Sequence, residues 1–101
     1  MSVRIAKAIS PFSEAINLCP DISLFYLNRA IAWGFLGDYD CAISDYNAAI
    51  NLSGDNAFIY NSRGEMFASM GKYDLAMADF NKAISINPYD SIAYGNKALL
   101  E

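Results

Sequence analysis

The reactive inventory of this 101-residue chain is short: two cysteines, eleven acidic and seven basic side chains, and no histidine. Cys19 and Cys41 stand 22 residues apart. Neither has a histidine or a further cysteine nearby, so neither a zinc set nor a thiol–imidazole nucleophile can be assembled from them. Both are expected to be ordinary reduced thiols in a reducing compartment. The missing histidine also removes the commonest general base near neutral pH. Asp38 and Asp40, the nearest-spaced acidic pair, follow Gly37 where a helix should begin, and acids in a first turn serve capping and the helix dipole. No catalytic residue, metal ligand or cofactor is therefore assigned, and the chain reads as a non-enzyme. A net charge of −4 with scattered lysines and arginines argues against a nucleic-acid partner. No apolar run approaches the ~18 residues of a membrane span, and the amino end lacks a secretory pattern. A cytoplasmic location is expected.

The charges that remain form a pattern. Arg29 and Arg63 recur with Asp45 and Asp79, each arginine 16 residues before its acid. A line of arginines could engage an acidic partner. Alternatively, an arginine on one helix could reach an aspartate on the next, a pairing suited to the guanidinium fork. Joint recurrence of both charges favours the second reading.

That recurrence belongs to a longer one. Residues 23–56 align without gaps on 57–90, and the 34 positions hold ten identities. These include Tyr26/Tyr60, Arg29/Arg63, Gly37/Gly71, Asp40/Asp74, Ala42/Ala76, Asp45/Asp79, Ala49/Ala83 and Ile50/Ile84. The same spacing continues upstream, where Ala8, Phe12, Ala15 and Ile16 fall on Ala42, Tyr46, Ala49 and Ile50. Downstream, Tyr94, Lys97 and Ala98 fall on Tyr60, Arg63 and Gly64. Within each unit the apolar residues trace helical stripes, such as Ala42, Ile43, Tyr46, Ala49 and Ile50. Gly37 and Gly71 divide the two helices of a pair, Asp38 caps the helix that follows, and Asn87-Pro88 ends another. Ser10-Pro11 reads as an N-cap followed by proline at the first helical position, which starts the amino-terminal helix there.

The residues Tyr60, Arg63-Gly64, Phe67, Ala76, Phe80, Ala83 and Pro88 resemble the tetratricopeptide repeat, whose pattern is W-x2-L-G-x2-Y, A-x3-F and P over 34 residues. Tyr replaces the first Trp, Arg29 and Arg63 replace Leu, Ala30 replaces Gly, and Gly54 replaces Pro. The resemblance implies an all-α fold, a right-handed α-α superhelical solenoid of helix-turn-helix units. It divides the chain, a single domain over residues 1–101, into a terminal half repeat (1–22), two repeats (23–56 and 57–90) and the first helix of an incomplete repeat (91–101).

The resemblance also implies a concave surface formed by first helices. Its candidate partner-binding positions are Leu24, Leu27, Asn28, Ile31, Phe35, Phe58, Asn61, Ser62, Glu65 and Asn96. Some tetratricopeptide domains hold a peptide's terminal carboxylate with cations there. The corresponding positions here are Leu27, Ile31, Ser62, Ile92 and Asn96, which argues against such a clamp. An exposed apolar patch with nearby amides suits a peptide or helical segment with apolar anchors. The expected role is a non-enzymatic protein-interaction module, a scaffold or adaptor with a protein or peptide partner. The alternative is a structural or oligomerisation element, whose apolar groove or unfinished end is covered by self-association, domain exchange or flanking repeats. In a further variant, residues 1–10 fold back over the stripe.

Overall fold

The computed structural model describes residues 3–101, and these form an all-α chain. The helices are α1 (Val3–Leu18), α2 (Ser23–Phe35), α3 (Tyr39–Ser53), α4 (Ala57–Ser69), α5 (Tyr73–Ile86) and α6 (Ser91–Leu100). The chain divides into two compact units at Gly54/Asp55, one holding α1 to α3 and the other α4 to α6. In the first unit α2 packs against both α1 and α3; in the second α5 packs against α4 and α6.

The turns within the helix pairs follow from their glycines. Gly37 and Gly71 adopt φ of 82° and 77°, a left-handed geometry that costs an L side chain about 1–2 kcal/mol. Each closes a Schellman motif. Gly37 N–H donates to the Gly34 carbonyl and Asp38 N–H to the Trp33 carbonyl; Gly71 and Lys72 repeat this on Ala68 and Phe67. Asp38 then caps α3 by accepting from Cys41 N–H at 3.3 Å, as expected. Asn56 and Asp90 cap α4 and α6 in the same way.

Helix α1 departs from expectation. It does not start at Ser10; it begins at Val3 and runs through Pro11. Proline lacks the N–H that the Lys7 carbonyl would accept, and a helix interior usually rejects it. Here Lys7, Ser10, Pro11 and Glu14 form the exposed stripe of α1, so the freed carbonyl faces water. The apolar stripe of Ile5, Ala8, Phe12 and Ile16 continues unbroken on the other side and holds the helix together. Residues 3–10 are thus part of α1 rather than a segment folded back, while residues 1–2 lie outside the described residues.

The core repeats with the sequence. Ala30, Ala42, Ala49, Ala76, Ala83 and Ala93 are completely buried, and Tyr46 and Phe80 are nearly so. Small residues bring helix axes together while the rings fill the space between them. Gly64 shows how close the approach is, because a Cβ there would lie 2.6 Å from Phe80 Cε1 and 3.1 Å from Asp79 Cβ. The fully buried Phe80 and Ile59 side chains each contribute about 1.5–3 kcal/mol of burial.

Candidate functional site

The recurring charges are internal ties. Arg29 on α2 grips Asp45 on α3 with Nε to Oδ2 at 2.6 Å and a terminal nitrogen to Oδ1 at 2.7 Å. Its other terminal nitrogen donates to Ser13 Oγ on α1 at 3.1 Å, so one guanidinium joins all three helices of its unit. Arg63 on α4 holds Asp79 on α5 the same way, at 2.9 and 2.7 Å. Each guanidinium also lies over a tyrosine ring, at 5.9 Å for Tyr26 and 5.6 Å for Tyr60. Hydrogen bonding to the aspartate raises both arginine pKa values above the ordinary guanidinium range, and burial only partly opposes it. Both therefore stay charged well into alkaline pH. The structural pairing holds, and these arginines are spent inside the protein.

The ten candidate binding positions sort by environment. In the first unit Leu24 and Phe35 are exposed, Phe35 by 73%, while Asn28 and Ile31 are half-buried. Leu27 is a correction: only 4% exposed, it belongs to the core of its unit and offers no surface. In the second unit Phe58 and Glu65 are exposed, and Ser62 and Asn96 are half-buried. Asn61 is a second correction. It is 5% exposed, and its Nδ2 donates to Asp90 Oδ2 at 2.7 Å, so it ties α4 to the start of α6 instead of facing a ligand. Leu27 and Asn61 occupy the same position of the 34-residue period, and that position points inward in both units. A further link joins the same helices, with Asn96 Nδ2 donating to Glu65 Oε1 at 3.0 Å.

The first unit also contains a shallow, largely open cavity of about 290 Å³ on the surface between α1 and α2. Asn28, Ile31, Ala32 and Phe35 line it from α2, and Ile5, Ala8 and Phe12 from α1. Three of these were candidate binding positions. The α1 wall was missed, although Ile5, Ala8 and Phe12 already lay on one helical stripe whose continuation past Pro11 was the available signal. Cavities of this size with one amide among apolar walls accept an apolar side chain and fix its backbone by a hydrogen bond. Among the described residues no three His, Cys, Asp or Glu gather as a metal set, and no helix is long and apolar enough to cross a membrane.

Antiparallel helix pairs repeated at a fixed period, stacked through alanine and aromatic positions, define an all-α helical-repeat protein. Residues 57–90 match the family model described as the tetratricopeptide repeat. Among solved structures, the tetratricopeptide domain of Arabidopsis OM64 is similar at 28% identity and a TM-score of 0.86, over 97% of this chain and 81% of that one. A thermophilic tetratricopeptide protein of Thermus thermophilus shares 27% identity at a TM-score of 0.89, over 95% of this chain and 49% of that one. The first tetratricopeptide domain of Spaghetti (RPAP3), bound to the HSP90 peptide SRMEEVD, has the same fold at 23% identity and a TM-score of 0.86, over 96% of this chain and 77% of that one. No curated protein sequence matches the chain. Residues 57–90 thus carry a tetratricopeptide repeat, and the chain shares the all-α repeat fold of tetratricopeptide domains, which are protein-interaction modules.

Proposed function

We propose that the chain is a non-enzymatic scaffold or adaptor that takes an apolar-anchored peptide or helical segment, with the cavity between α1 and α2 as its anchor site. The single observation that carries this reading is the cavity itself, with seven lining residues of which Asn28 alone is polar. An apolar anchor would be buried there while Asn28 exchanges a hydrogen bond with the ligand backbone. Leu24 and the highly exposed Phe35 extend the apolar surface of the same unit.

The chemistry favours this ligand over the acidic peptide held by the RPAP3 domain. SRMEEVD carries four carboxylates in its last four residues, those of two glutamates, the aspartate and the chain terminus. The clamp positions here hold Leu27, Ile31, Ser62, Ile92 and Asn96, and Arg29 and Arg63 are bonded to aspartates.

Fluorescence anisotropy with two labelled peptides tests the reading. An amphipathic helical peptide with leucine and phenylalanine at i, i+3 and i+7 is expected to bind, and Phe35→Asp to weaken that binding about tenfold, roughly 1.4 kcal/mol. SRMEEVD is expected not to bind. Tight binding of SRMEEVD, or indifference of the apolar peptide to Phe35→Asp, would refute the assignment.

A further inference from the structure

Helix α1 has two places where it could begin, and it uses the first. The chain's single Ser-Pro step, Ser10-Pro11, carries the signature of a helix start, yet α1 passes through it from Val3 to Leu18. That passage is costly on both sides of the step. Pro11 has no N–H for the Lys7 carbonyl, and a residue that precedes proline prefers extended to helical backbone, so Ser10 is held in a disfavoured form. The start at Val3 also has no acid in its first turn, whereas a start at Pro11 places Glu14 where the helix dipole favours it. The later half of α1 has ties of its own: Arg29 donates to Ser13 Oγ at 3.1 Å, and Ile16 is 7% exposed. Ahead of the step, Ile5, Ala8 and Ile9 are half-buried. Ser10 itself is exposed. So are Ser44 and Ala78, its counterparts in the 34-residue period, so this position faces water in complete helix pairs as well.

We propose that Ser10 is a phosphorylation site for a proline-directed serine kinase, and that the phosphate moves the start of α1 from Val3 to Pro11. In the transfer Ser10 Oγ attacks the γ-phosphorus of ATP. The new O–P bond forms as the bond to the β-phosphate oxygen breaks, ADP leaves, and the hydroxyl proton passes to the kinase's base. Such a kinase takes its serine in extended backbone with proline following, the form that Pro11 already favours at Ser10.

Inside the intact helix the phosphate gains little. Lys7, three residues before Ser10, attracts it and Glu14, four residues after, repels it, two exposed contacts of similar size and opposite sign. With Ser10 as N-cap, the phosphate oxygens instead accept from the N–H groups of Phe12 and Ser13 and lie at the positive end of the helix dipole. Those N–H groups become free when residues 3–9 unwind. Ile5 and Ala8 then leave the cavity wall that they share with Phe12 and α2. Part of that wall detaches while α2, α3 and their Arg29–Asp45 tie stay in place. The effect on a ligand rests on the reading of this cavity as an anchor site; the phosphorylation and the helix reset do not.

The test incubates the whole chain with a purified mitogen-activated protein kinase and magnesium ATP, and reads the product by fragmentation mass spectrometry and amide hydrogen exchange. One phosphate is expected, on Ser10, and none in Ser10→Ala. The amides of residues 5–9 should then exchange at least about tenfold faster, while those of residues 14–18 and of α2 keep their rates. Ser10→Asp, which supplies a cap without the phosphate, should move the same amides in the same direction by less. In fluorescence anisotropy the phosphorylated chain should bind the apolar helical peptide about tenfold more weakly. No phosphate on Ser10, or a phosphorylated chain whose residues 5–9 exchange at the unmodified rate, overturns the inference. If the unmodified chain binds no apolar peptide, the anchor-site reading fails, and the exchange rates still decide whether Ser10 resets α1.

Discussion

Replacing Arg63 by alanine measures how far each unit depends on its ionic tie. The Asp79 side chain is 6% exposed and accepts two hydrogen bonds from Arg63, itself only 20% exposed. Removing the guanidinium leaves a carboxylate that folding has stripped of water. Breaking one half of a buried pair costs about 3–5 kcal/mol, and the partial exposure of Arg63 puts this site near the lower end. Loss of the guanidinium from over the Tyr60 and Phe67 rings acts in the same direction. A loss of about 3 kcal/mol corresponds to a fall in melting temperature of roughly 12–24 °C for a domain of this size. Circular dichroism followed through heat and urea gives both numbers. The double variant Arg63→Met, Asp79→Leu removes both charges together and should recover most of the loss, because matched apolar replacements of a buried pair are often neutral. A single variant that loses less than about 1 kcal/mol, or a double variant no better than the single, would refute the claim that the pair acts as a desolvated unit.

Two other substitutions probe separate features. Gly64→Ala gains about 1 kcal/mol of helix propensity but drives a methyl to 2.6 Å from the sealed Phe80 ring, where overpacking costs about 1–3 kcal/mol, so a lower urea midpoint is expected. Hydrogen bonding to Asp38, followed by burial and the charge of Asp38, raises the Cys41 thiol pKa above its ordinary value. Since the thiolate is the reactive form, Cys41 should alkylate slowly at mildly alkaline pH. Asp38→Asn, which keeps a good cap, should speed its labelling by iodoacetamide and shift the pH–rate profile to lower pH.

The 34-residue period made the helix pairs, their glycine turns and the Arg–Asp ties legible, because those features recur wherever the same contacts do. Binding positions were less legible, for a reason visible at Leu27 and Asn61. A position that holds leucine in one unit and an amide in the next reads as surface, yet Asn61 is internal because Asp90 supplies its partner 29 residues away. No local pattern announces that pairing. Pro11 misled in a different manner. The rule that starts a helix at Ser-Pro is sound for an isolated segment, but the stripe from Ile5 to Ile16 packs on α2 and outweighs one absent backbone hydrogen bond on the solvent side. With the helix start misplaced, the α1 wall of the cavity was lost as well.

Asp90 carries a consequence for the timing of motions. One of its oxygens accepts from Ala93 N–H and so starts α6, while the other accepts from Asn61 and fixes that start against α4. A ten-residue helix is too short to persist alone in water, and α6 has only Ala93 fully buried. Forming the helix and seating it are therefore one event. The amide hydrogens of α6 should exchange with solvent as a block, through an opening well below global unfolding in free energy, so that this end of the chain alternates as a unit between seated helix and released strand of coil.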